Sequence, residues 1–167
     1  MGTGSIPGRE GMRREQYTLD VTDVAWIDGD EDPGMPCLRI SYDGDPETLH
    51  SRLVDARGEP LDGGEIDVTV RLQGDVQDPE PPGVVAMTSR VTGDYLLEVL
   101  VDPPDIITFT RAARRFGDQS DGASRYIVRV IADDETVGEY EKRTLLVYSH
   151  DGDLLRHHSL IPSGVEI

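Results

Sequence analysis

Alternation with a period of two runs through most of this chain, and it limits what the chain can fold into. In "EIDVTVRLQ" (65–73), Ile66, Val68, Val70 and Leu72 fall on one side, and Asp67, Thr69 and Arg71 on the other. Neighbouring side chains on a strand point to opposite faces, so such a segment lays one apolar face on a core. In "DYLLEVLVD" (94–102), Tyr95, Leu97, Val99 and Val101 form the inward set, with Glu98 outward. Similar short segments occupy 17–27, 37–42, 48–55, 84–91, 125–132, 137–149 and 153–160. Between them lie "IDGDEDPG", "YDGDPE", "DARGEPLDGG", "DVQDPEPPG" and "GDQSDGAS", the Gly/Pro/Asp clusters that end strands. Short strands recurring between such turns predict a mostly β sandwich or barrel.

One segment breaks the rhythm. "DPPDIITFTRAARRFGD" (102–118) has helical spacing. Asp102 suits an N-cap, Pro103 the first turn, and Asp105 the acidic position of a capping box. Ile106, Phe109, Ala113 and Phe116 recur at steps of three, four and three, one apolar stripe of an amphipathic helix over 103–116. Gly117 is placed as its C′ residue.

The length of 167 residues suits one domain. The N-terminal "MGTGSIPGREG" has no periodicity. Residues 1–11 read as a disordered tail or a mis-assigned start before Met12, and 12–167 as the domain. Cys37 is the single cysteine, which excludes an internal disulfide and a cysteine-rich zinc site. No apolar run matches a membrane span and no secretory h-region is visible, so a cytoplasmic location is expected.

Charge is the strongest compositional signal. The chain holds 33 acidic and 16 basic residues, for a formal net charge of -17. Lys142 is its one lysine; the other basic residues are arginines. Such a surface repels itself in dilute buffer, and molar salt, with a Debye length of about 3 Å, removes that repulsion. A halophilic protein is the expectation. The basic residues are unevenly placed: residues 17–110 hold five against 21 acidic ones, and residues 111–167 hold eight against ten.

The basic-rich portion starts within "FTRAARRFG" (109–117). Arg111 and Arg115, four apart, share a helix face opposite the apolar stripe, with Arg114 to one side. Cations in a last helical turn complement the helix dipole, and these can also pair with surface acids. The functional reading is a site for a carboxylate, a phosphate or an acidic partner, formed by Arg111, Arg114 and Arg115 with Lys142 and Arg143 from "EYEKRT". Nucleic acid is not expected, because the net charge is acidic and aromatics are few.

"SHDGDLLRHHSLIPSG" (149–164) offers less chemistry than its three histidines imply. Asp151-Gly152 predicts a two-residue hairpin that pairs His150 with Asp153, Tyr148 with Leu155, and Leu146 with His157. His157 and His158 then point to opposite faces and cannot meet His150 at one metal ion. No zinc motif, nucleophile elbow or phosphate-cradling glycine loop is present. "DGDEDPG" and "DGDPE" lack the spacing of an EF-hand loop and read as hydrated turns. No metal or cofactor is expected. The alternative to a partner-binding helix is an enzyme or small-ligand binder with a site near His157 or His158.

Two resemblances add to this. "RLVDARGEPLDGGEIDVTVRL" and "TGDYLLEVLV" resemble strand-turn units of immunoglobulin-like domains. That implies an immunoglobulin-like antiparallel β-sandwich, here with one amphipathic α-helix. "MRREQYTLDV", "FTRAARRFG" and "YEKRTLLVYSHDGDLLRHHSLIPSGVE" are similar to a family of small acidic haloarchaeal proteins of unknown function. That resemblance implies no catalytic residue. The combined expectation is a non-enzymatic cytoplasmic interaction module of a halophile, binding an acidic partner through its arginine-rich helix.

Overall fold

A computed structural model of the chain describes residues 16–29, 34–75, 77–78, 80–120 and 125–161. The tail expected over 1–11 lies outside them. The fold is mostly β, with eight strands in two four-stranded sheets among the described residues. The first sheet joins β1 (Tyr17–Thr22), β2 (Cys37–Tyr42), β6 (Tyr126–Ala132) and β7 (Glu135–Lys142), in that order. The second runs β5 (Tyr95–Val101), β4 (Gly83–Ser89), β3 (Ile66–Arg71) and β8 (Leu146–Tyr148). Two helices accompany them, α1 (Pro46–Arg52) and α2 (Pro103–Ser120).

The inner faces follow from the alternation. Ile66, Val68, Val70 and Leu72 are all buried, and Leu38, Ile40, Val128 and Val130 meet them from the other sheet in one apolar cluster. Burying each such side chain contributes roughly 1.5–3 kcal/mol.

Both sheets are mixed, not purely antiparallel. β2 pairs with β6 in parallel and β3 with β8 in parallel, while the other neighbours are antiparallel. The parallel partners are separated by whole elements, so no tight turn sets their direction. Period-two alternation looks the same in either pairing. The strand order also departs from the immunoglobulin one, in which the first and second strands share a sheet with the fourth and fifth. Local turn motifs specify hairpins, not which distant strands meet.

Four further differences have local causes. The segment 48–55 is not a strand: Leu49 and Leu53 are four apart, both buried, and Pro46 opens α1 behind Asp45. The described residues therefore hold two helices instead of one. α2 continues past residue 116 to Ser120, so Gly117 lies inside the helix, and an added Cβ there would meet the Arg125 side chain at 3.0 Å. Tyr95 turns outward and is 61% exposed, because a register shift after Met87 leaves Leu96 as an extra residue that takes the buried position. β1 stops at Thr22, and a 3-10 turn over Ala25–Asp28 buries Trp26 and Ile27.

The C-terminal hairpin also has a different register. Tyr148 bridges Leu154, and Leu145 bridges Leu160, in place of the expected Tyr148–Leu155 and Leu146–His157 pairs. A 3-10 turn over Arg156–His158 takes up the intervening residues, so 153–160 is not a regular strand. The amide of Leu155 still donates to the Val147 carbonyl at 2.8 Å.

Candidate functional site

The arginines of 109–117 stand on a helix held firmly from its other side. Ile106, Phe109 and Ala113 are fully buried, as their spacing predicts, and Phe116 is half-buried. Phe109 belongs to the main core. Ala112 and Phe116 pack with Trp26 and Ile27 in a second cluster. α2 therefore ties the sandwich to the turn after β1.

The three arginines do different work. Arg114 lies over the C-terminal segment and donates from Nη2 to the carbonyls of His157 (3.1 Å) and Ser159 (2.9 Å). Ser159 is itself buried. Its Oγ donates to the Leu155 carbonyl at 2.7 Å and accepts the Val147 amide at 2.9 Å. Arg114 thus fastens a segment that has little regular secondary structure of its own. Arg111 and Arg115 are exposed one turn apart; Arg115 makes a long 3.5 Å contact with the Ile27 carbonyl.

Lys142 and Arg143 sit elsewhere. They line a depression of about 560 Å³ together with Arg90 and Asp67, and none of the α2 arginines lines it. Lys142, the one lysine of the chain, is only 8% exposed. Its Nζ donates to the Gly63 carbonyl at 2.6 Å and to the Ile66 carbonyl. Burial lowers its pKa, and the Arg90 charge adds to this. The side chain clamps the end of β7 to the 3-10 turn at Gly63–Glu65 and does not project toward solvent. Arg143 beside it is exposed. Arg90 pairs with Asp67 at 2.6 Å, a surface pair worth about 0–1 kcal/mol.

His157 is exposed and His158 half-buried, both on the 3-10 turn. Burial lowers the His158 pKa, helped by His157 and Arg114. His150 lies at the turn beside Asp151, 3.4 Å away. Among the described residues, no group of three or more His, Cys, Asp or Glu side chains could hold a metal ion. Neither His157 nor His158 lines the depression at Lys142 and Arg143.

Residues 12–167 match the model of a family of unknown function, DUF5793. The chain belongs to the DUF5793 family. No curated protein and no solved structure matches it. Membership in DUF5793 therefore brings no established activity to these residues. No helix among the described residues of this family member is long and apolar enough to cross a membrane.

Arg52 did not stand out in the sequence. It ends α1, and its Nε is buried without a hydrogen-bond partner among the described residues. A buried donor left unsatisfied costs about 1–3 kcal/mol. The sequence signal available was the helical spacing of Leu49 and Leu53, which places Arg52 next to a buried position.

Proposed function

We propose that the chain is a non-enzymatic interaction module that binds an acidic partner through the outer face of α2. One observation carries this reading: Arg111 and Arg115 are both exposed, one turn apart, on a helix whose opposite face is locked by Ile106, Phe109 and Ala113. A fixed backbone lowers the ordering cost of binding, and guanidinium forks suit carboxylates. Arg114 supports the surface by holding 157–159 in place. Lys142 is left out of the contact, and Arg143 lies apart from α2 in the depression that also holds the Arg90–Asp67 pair.

Composition supports a setting of concentrated salt. At such salt, long-range steering is lost and only close contacts select the partner.

The test is affinity capture in molar KCl from the cells that make the protein, with proteins and nucleic acids identified. Wild type is compared with Arg111→Ala/Arg115→Ala, and folding is checked by circular dichroism. Loss of one acidic protein from the folded double variant supports the reading. Equal capture by both, or captured material that is not acidic, sinks it.

A further inference from the structure

A groove lined by none of the α2 arginines has the character of a ligand site. It runs between the end of α1 with its following loop and the turn joining β4 to β5, and encloses about 720 Å³. That size lies within the range of small-molecule pockets. Val54, Ala56, Leu61, Val91 and Leu96 give it an apolar wall. Among the described residues the exposed large apolar side chains are Val91, Tyr95 and Leu100, and the first two line this groove. Val91 is 68% exposed, an uncompensated apolar surface in a chain of net charge -17.

One cation is fixed in the groove. Arg52 donates from Nη2 to the Tyr95 carbonyl at 3.1 Å, which holds the guanidinium beside the apolar wall. Its Nε is buried and unpartnered, and Arg52 forms no ion pair among the described residues. The nearby carboxylate of Asp55 is turned into its own loop, where Oδ1 accepts the amides of Arg57 (2.8 Å) and Glu59 (3.0 Å). Asp94 also lines the groove; Arg52, without an ion pair among the described residues, is the one cation in its lining and complements an anion with an apolar body.

We propose that this groove binds a small carboxylic acid with an aliphatic or aromatic body, its carboxylate on the Arg52 guanidinium and its tail along Val54, Leu61, Val91 and Leu96. This site is independent of the α2 reading, and neither stands or falls with the other.

The test titrates octanoate into the full-length protein in molar KCl, with octanol as the uncharged counterpart, followed by calorimetry and methyl NMR. Octanoate is expected to bind once per chain and about tenfold more tightly than octanol, the gain of one charge-assisted contact. Methyl shifts should centre on Leu61, Val91 and Leu96. Arg52→Gln should remove the tenfold preference and leave octanol binding unchanged. Val91→Asp, at an exposed rim position where folding is not at stake, should weaken octanoate more than octanol and decides the matter if Arg52→Gln fails to fold. Equal affinity for acid and alcohol, absence of saturable binding, shifts centred elsewhere, or a preference that survives in a folded Arg52→Gln variant overturns the proposal.

Discussion

Phe109 of α2 meets Tyr126 of β6 edge to face, with ring centroids 5.2 Å apart and planes at 82°. Both rings are fully buried, and the Tyr126 hydroxyl donates to the Thr144 carbonyl at 2.7 Å. Helix, first sheet and the β7–β8 connection therefore meet at one pair of residues. Phe109→Ala should cost about 3–5 kcal/mol, the usual loss for a buried phenylalanine. Chemical denaturation in molar KCl measures it. A loss under about 1 kcal/mol would mean that α2 is not seated on the core as described.

Arg114 bonds two carbonyls of a segment that lacks a regular strand. Arg114→Ala should destabilise the protein by about 1–3 kcal/mol. Hydrogen exchange should rise selectively at Ser159 and Leu160, whose neighbours depend on that anchorage. Arg115→Ala, with its long contact to Ile27 at stake, should change stability by about 0.5 kcal/mol or less. Equal exchange profiles for the two variants would remove the anchoring role.

Three phenols give the fold an alkaline limit. Burial pushes Tyr140 up to about 12. It also pushes Tyr17 up, with Tyr42 adding to the effect, and Tyr126 up. In the unfolded chain these phenols ionise at about pH 10. The stability they contribute is intact below that pH and lost as pH rises toward the folded value. Each phenol should steepen the decline by about 1.4 kcal/mol per pH unit once ionised in the unfolded state alone. Denaturation from pH 9 to about 11.5 reads the slope, and Tyr140→Phe should make it shallower. An unchanged slope in that variant would show that Tyr140 ionises freely in the folded protein.

The excess of acid over base should make stability depend on salt. Self-repulsion opposes the compact state in dilute buffer and is screened in molar KCl. The melting temperature should therefore rise steadily between these conditions. A flat profile would leave the charge without a halophilic role.

The sequence by itself determined the inward faces of most strands, the buried stripe of α2 and the two-sheet class. These depend on periodicity, a local property that reports which side of an element is apolar. It also exposed the contrast between an acidic chain and its arginine-rich helix. Only tertiary structure decided that Arg114 turns onto the 157–159 backbone while Arg111 and Arg115 stay exposed. It likewise decided that Lys142 is a buried clamp, since the carbonyls it meets at Gly63 and Ile66 are far away along the chain. The parallel pairings and the groove at Arg52 belong to the same class. Each arises where distant segments meet, and their pairing energy is set by register and packing that no single stretch of sequence contains.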